Sequence, residues 1–448
     1  MWEYATPHTL PHTFSFPFKS SSRPDPSTPF PLGTLVSPST NSKEPGLLVV
    51  QPVTGAIAYW DDVCSAVSEG LFNKKRGVEG EFPTMSGELI NSICNVEPAG
   101  FVIATSSGRL AHIALRDAAG RPGISVTIMR GGGGGFGGIL STLRAGSNRR
   151  DVVAVRAGKV LRMGEREVFV VTSRGIFSRW HVSRAGGYAN TTDADLRSEI
   201  LAALSRQKPL QERDAEHFQV IDVQVTGYSE PADPNQEDTA QLLVLAAIPS
   251  VSTKVAYAIV SLEIAAGGAA AAGDVHVIKS YAEGFGSETP PRLYFPPPRK
   301  TAFVVFPRAV VVVSKAGRGP SAEEMDYDDG GEYASFEDVV DFRGDLGIEI
   351  VGSGPEGVED DLVASVEALG SFSTEQTHVR RAKNPGVILI AKHAGILRVE
   401  AFDSGPKAST APVTVKSKLE QAVFYGTKSD VRMDPPPPPP FPFSIIES

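Results

Sequence analysis

Gly133, Gly135 and Gly138 fit the spacing G-x-G-x-x-G, in which missing side chains let backbone amides approach a pyrophosphate. The fit carries little chemistry here. Glycine fills every position of Gly131–Gly138 except Phe136, so almost any glycine pattern is satisfied, and no Gly-Lys-Ser/Thr follows to hold a phosphate. Serine, histidine and aspartate are present, but no Gly-x-Ser-x-Gly elbow and no histidine pair at metal-binding spacing brings them together. Cys64 and Cys94 are the only cysteines and the eight histidines are scattered, which excludes a cysteine metal cage and a disulfide framework. Asn190-Thr191-Thr192 matches the glycosylation pattern, but the N-terminus lacks the basic-then-apolar signal that would lead it to the modifying compartment. The chain therefore reads as non-catalytic, with no cofactor, no metal and no small-molecule substrate.

The same glycine-rich stretch has a second property. Phe136, Ile139, Leu140 and Leu143 follow the spacing i, i+3, i+4, i+7, one apolar stripe on a helix. Gly137, Gly138, Ser141 and Thr142 lie opposite, small and uncharged, with Arg144, Arg149 and Arg150 only at the far end. This is the pattern of a lipid-packing sensor, which inserts bulky side chains into a loosely packed, curved bilayer and relies little on charge. Burying four such side chains supplies roughly 6–12 kcal/mol. Ordering about a dozen residues costs about 1–2 kcal/mol each, so one copy binds marginally and only where lipid defects help. A glycine-rich loop whose leucines touch the adjacent sheet is the other reading of these residues.

The elements that must hold this segment are β-strands. The chain has 448 residues, 41% apolar and 21% charged, a globular composition with ample core for one large β architecture. No apolar run approaches the length of about 18 residues that a membrane-spanning helix needs. A net charge of −9 offers no basic footprint, so no direct nucleic-acid contact is expected. Four hairpin units repeat: Leu47–Val50 and Ala56–Trp60 around Gly55, Phe101–Ala104 and Arg109–Ile113 around Gly108, Val168–Val171 and Ile176–Trp180 around Gly175, Ile388–Ala391 and Ile396–Val399 around Gly395. Trp60 and Trp180 end two of these units and are expected to pack between neighbouring sheets. Weaker strand patterns cover Phe218–Val225, Gln241–Ala247, Lys254–Leu262, Asp274–Ser280, Thr301–Phe306, Ala309–Ser314 and Phe336–Phe342. One amphipathic helix is predicted over Asp193–Gln207, with Asp193 and Asp195 at its N-terminal end. Many short strands without βαβ alternation point to a β-propeller, with paired sandwiches as the alternative.

This gives a Pro/Ser-rich arm over 1–30, a propeller over 31–431 and a Pro-rich tail over 432–448 containing Pro435–Pro440. Long loops are expected at 130–151, at the alanine-glycine run Ala265–Gly273 and at 317–332, which carries the acidic run Glu323–Glu332.

GLLVVQPVTGAIAYWDDV at Gly46–Val63 resembles the opening hairpin of scaffold nucleoporins that carry an N-terminal β-propeller. KSKLEQAVFYG at Lys416–Gly426 and FEDVVDFRGDLGIEIVGSG at Phe336–Gly354 resemble the end of that propeller in the fungal nucleoporin one-thirty-three family of the Y-shaped coat complex. The inner-ring nucleoporin one-fifty-five family is similar and shares the tryptophan-containing hairpin. The resemblance implies a seven-bladed propeller, placement at the nuclear pore, a structural role in nucleocytoplasmic transport and messenger-RNA export, and other nucleoporins of the coat as partners. It also implies a membrane-contact loop between blades, and the matching position is Phe136–Leu143, set against a curved nuclear-pore membrane. The glycine-rich start of this segment departs from the family and lowers its helix propensity. The family continues into a long α-helical stack, whereas this sequence reaches Ser448 through prolines. A chain complete at that point would lack the family's attachment to the coat. The competing class is a soluble protein-interaction propeller with no membrane contact, and a propeller hydrolase is the residual third.

Overall fold

The computed structural model describes residue 16 and residues 28–39, 44–63, 77–117, 120–130, 151–207, 215–229, 238–249, 254–284, 289–314, 337–344, 347–356 and 384–401. Contacts divide the chain into Met1–Glu400 and Ala401–Ser448, and every strand described belongs to the first unit.

The fold is an all-β propeller; among the described residues 24 strands form six antiparallel sheets, each a meander in chain order. Blade 1 holds β1 Leu32–Val36, β2 Gly46–Val50, β3 Ala56–Trp60 and β4 Val78–Glu81. Blade 2 holds β5 Ile90–Asn95, β6 Phe101–Thr105, β7 Leu110–Arg116 and β8 Pro122–Met129. Blade 3 holds β9 Val152–Arg162, β10 Glu165–Thr172, β11 Ile176–Ser183 and β12 Tyr188–Asp195. Blade 4 holds β13 Gln219–Ser229, β14 Thr239–Pro249, β15 Lys254–Ile264 and β16 Ala270–Val277, with the short β17 Glu283–Gly284 added beside β15. Blade 5 holds β18 Arg292–Tyr294, β19 Thr301–Phe306, β20 Ala309–Ser314 and β21 Glu337–Asp341. Blade 6 holds β22 Glu349–Pro355, β23 Gly386–Lys392 and β24 Gly395–Glu400.

The expected count of seven blades is corrected to six sheets among the described residues. Seven came from the family resemblance. Strand pairing among the described residues sets the number instead.

All four repeated hairpins form the second and third strands of a blade. Their turn glycines Gly55, Gly108, Gly175 and Gly395 have φ of 74°, 80°, 87° and 82°, a conformation that only glycine adopts readily. The middle strands read as unbroken apolar runs because both faces are covered: β6 and β19 are buried at every position. The first strand of each blade contacts the first strand of the next, from β1 through β5, β9, β13 and β18 to β22. Apolar cores fill the junctions. Leu48, Ile57 and Tyr59 meet Phe101, Ile103 and Ile113 between blades 1 and 2. Trp180 packs with Val96, Val102 and Val168 between blades 2 and 3. Trp60 is also buried, with Leu47 and Ala58, and its ring lies 5.1 Å from that of Phe16.

Two expectations change. The helix, α1, spans Arg197–Gln207, because Tyr188–Asp195 continues the sheet by pairing with β11. Asp195 instead caps the helix from outside, its Oδ1 accepting the Arg197 amide at 2.9 Å. Ile200, Ala203 and Leu204 form the buried face of α1, which lies against β16. The alanine-glycine run is not a long loop. The Ala265 amide donates to the Ala269 carbonyl at 2.9 Å across a tight turn, and Ala270 begins β16. Ala270 and Ala272 pack on the core between blades 3 and 4, and their small side chains allow α1 to approach that strand.

Candidate functional site

In an antiparallel meander that starts from the innermost strand, successive connections alternate between the two ends of the blade. Links between blades and turns joining second to third strands share one end, here called upper. Turns joining first to second and third to fourth strands share the other, lower end. β8 ends at Met129 and β9 begins at Val152, so the predicted loop 130–151 is the link from blade 2 to blade 3 at the upper end. Its far end is fixed where the Ser173 amide donates to the Asp151 carbonyl at 2.8 Å. The acidic segment departs from β20 and returns at β21, at the lower end.

Phe136, Ile139, Leu140 and Leu143, Gly133, Gly135 and Gly138, the acidic run Glu323–Glu332, the tail prolines and Lys416–Gly426 all lie outside the described residues. So do Cys64 and nearly all of the 1–30 arm; Cys94 sits half-buried on β5. What the structure places are the blades on either side of the loop and the polar contacts that join blade to blade.

Arg156 on β9 forms an ion pair with Asp222 on β13, whose side chain is 1% exposed. The Asp222 carboxylate also accepts the Leu293 amide at 2.9 Å, so one side chain joins the inner strands of blades 3, 4 and 5. The Tyr228 hydroxyl of blade 4 donates to Glu167 of blade 3 at 2.8 Å, and burial pushes its pKa up. Glu97 accepts the Ser37 amide at 2.9 Å between blades 1 and 2, and its carbonyl accepts Arg166 of blade 3 at 2.6 Å. Glu337 of blade 5 meets His276 of blade 4 at 2.7 Å; burial opposes its charge, but hydrogen bonds from His276 and Ser280 outweigh this and hold its pKa down. Within blade 2, hydrogen bonds from Arg109 hold the Glu88 carboxyl well below the usual carboxylate range. Sequence patterns missed these residues because a single polar position inside an apolar strand, as in Val220–Val223, leaves the period unchanged.

His112 on β7 is 1% exposed, and its Nε2–H donates to the Ala99 carbonyl at 2.6 Å. Burial lowers its pKa below the ordinary value, so the folded protein keeps the ring neutral. The unfolded chain takes up a proton below about pH 6.5 that the folded chain refuses, so stability falls with pH there, by up to about 1.4 kcal/mol per unit. Urea midpoints between pH 7.5 and 5.5 are expected to drop more steeply for the wild type than for His112→Gln.

Among the described residues no group of histidine, cysteine and carboxylate side chains is arranged to hold a metal ion. No helix among them is long and apolar enough to cross a membrane. An open cleft of about 310 Å³ lies between blades 4 and 5 at the lower end, lined by Thr226, Gln241, Leu243, Glu263, Phe295 and Arg299. Arg299 is turned to the Thr226 carbonyl at 2.5 Å and Gln241 to Glu263 at 3.1 Å, so the polar groups of the cleft satisfy one another.

A family model described as "Nup133 N terminal like" matches residues 1–398. Nucleoporin NUP133 of Chaetomium thermophilum is 38% identical, covering 99% of this chain and 34% of its own length. Nucleoporin nup132 of Schizosaccharomyces pombe is 24% identical over 93% of this chain and 32% of its own. The chain thus spans about a third of the length of these curated relatives. The crystal structure of the Vanderwaltozyma polyspora Nup133 β-propeller domain superposes with a TM-score of 0.58 at 18% identity, covering 83% of each chain, which shows the shared fold. Family match, near-complete alignment and propeller agree: the chain belongs to the Nup133 N-terminal-like family of nucleoporins, structural rather than catalytic proteins.

Proposed function

We propose that this chain is a structural propeller of the nuclear pore scaffold at the nuclear envelope. In this reading it supports nucleocytoplasmic transport and messenger-RNA export, has other nucleoporins of the Y-shaped coat as partners, and touches the curved pore membrane through residues 130–151. Family membership over residues 1–398 carries the scaffold role. The membrane role draws support from the apolar stripe Phe136, Ile139, Leu140, Leu143 and from its position as a link between blades, where an insertion leaves strand pairing on both sides intact. A glycine-rich segment has little helix propensity of its own, so its helix forms only with lipid.

A synthetic peptide covering residues 130–151 tests this by circular dichroism. It is expected to be unstructured in buffer, to become helical with small neutral vesicles and to gain much less helicity with large ones. A peptide that stays unstructured with both would remove the lipid-sensing role and leave a soluble interaction propeller.

A further inference from the structure

We infer that the lower end of blade 3 is a docking platform for an acidic peptide segment that carries a bulky apolar side chain, supplied by a partner protein. Two adjacent turns build it. The β9–β10 turn presents Met163, 87% exposed, and Val160, near the end of β9, is 47% exposed. The β11–β12 turn presents Arg184 and Ala185, both exposed, and Arg162 is exposed next to Met163. The Arg184 amide donates to the Gly164 carbonyl at 2.7 Å, which staples one turn to the other. Each turn is closed by a glycine at positive φ, Gly164 at 81° and Gly186 at 84°. The platform is therefore preorganised, and a ligand loses little by ordering it.

Its chemistry selects the ligand. Neither Arg162 nor Arg184 has a carboxylate partner among the described residues, although Glu165 is the backbone register partner of Arg162. By contrast Arg109, Arg116, Arg156 and Arg398 are each paired with aspartate or glutamate. Guanidinium groups bind carboxylates through paired hydrogen bonds, and the exposed Met163, adjacent in the chain to Arg162, offers an adaptable apolar contact. A bilayer fits less well. β9 runs the full height of the blade, roughly 36 Å for its 11 residues, and the link proposed to meet the membrane joins its opposite end.

The test uses the whole chain and a fluorescent dodecapeptide of aspartate and glutamate with Leu-Phe at its centre, followed by anisotropy at low and physiological salt. Saturable, salt-sensitive binding is expected. Arg162→Glu combined with Arg184→Glu should weaken it about tenfold or more, Met163→Asp similarly, and Arg174→Glu at the upper end not at all. All these positions are exposed, and unchanged urea midpoints would establish that the variants fold. Absence of binding, equal binding by the platform variants, or equal binding of an all-acidic peptide without Leu-Phe would overturn the proposal. So would Met163-dependent flotation with anionic vesicles, which would make lipid the occupant. A dimer by light scattering that Met163→Asp dissolves would make it a second copy.

Discussion

Asp222→Ala is expected to destabilise the propeller by about 3–5 kcal/mol, the usual cost of removing one member of a buried ion pair. The Asp222 side chain is 1% exposed and has two separate duties. One oxygen accepts from Arg156 and from the Val223 amide at 2.7 Å, and the other accepts the Leu293 amide at 2.9 Å. Truncation leaves a guanidinium without its counter-charge and a buried amide of blade 5 without an acceptor. The Leu293 amide recovers no water, and the Arg156 guanidinium, its side chain 26% exposed, recovers only part of its own, so the penalty exceeds what the lost hydrogen bonds contribute net. Arg156 keeps bonds to the Val223 carbonyl at 2.7 Å and the Val155 carbonyl at 3.0 Å, which places the effect nearer the lower figure. Asp222→Asn retains an acceptor and should cost about half as much. Guanidinium unfolding measures both, and a midpoint shift worth less than about 1 kcal/mol for Asp222→Ala would show that the clamp does not hold blades 3, 4 and 5 together. Because Arg156 lies on β9, the same substitution should speed amide exchange along the strand that leads out of the 130–151 link.

The parts of the fold that could be read in advance are those where burial leaves a mark on residue type. Val168–Val171 and Phe101–Ala104 are apolar at every position because neighbouring blades cover both faces, and the glycines that follow them are demanded by the turn. β4 and β12 left no such mark. Val-Glu-Gly-Glu alternates half-buried and exposed at the rim of its sheet, and Tyr188–Asp195 is largely polar; both are strands because a partner is there to pair with. For the same reason Asp193 and Asp195 look like the first turn of a helix until β11 claims them. The apolar stripe of the candidate loop is legible from spacing alone. Its place as the link between blades 2 and 3, at the end opposite the acidic segment, depends on long-range strand order, which no local pattern encodes.

Phe136→Asp and Leu140→Asp are each expected to abolish membrane binding by the whole protein. The stripe has only four bulky side chains to set against the entropy of ordering a glycine-rich segment, so the wild type sits near the threshold. Losing one such side chain removes about 2–3 kcal/mol, a fall of about 30- to 150-fold in affinity, before the cost of placing a carboxylate at the lipid surface. In the proposed role the same marginality is expected to make binding depend on curvature, since packing defects lower the cost of insertion in small vesicles. Both substitutions lie between β8 and β9, outside the strands, and should leave the unfolding midpoint unchanged.

Flotation of the purified chain with small and large neutral vesicles, run beside these two variants, is the most direct measurement. The wild type is expected to float with small vesicles and much less with large ones, and neither variant with either. Equal flotation of wild type and variants, or no flotation of the wild type at any vesicle size, would contradict the membrane role.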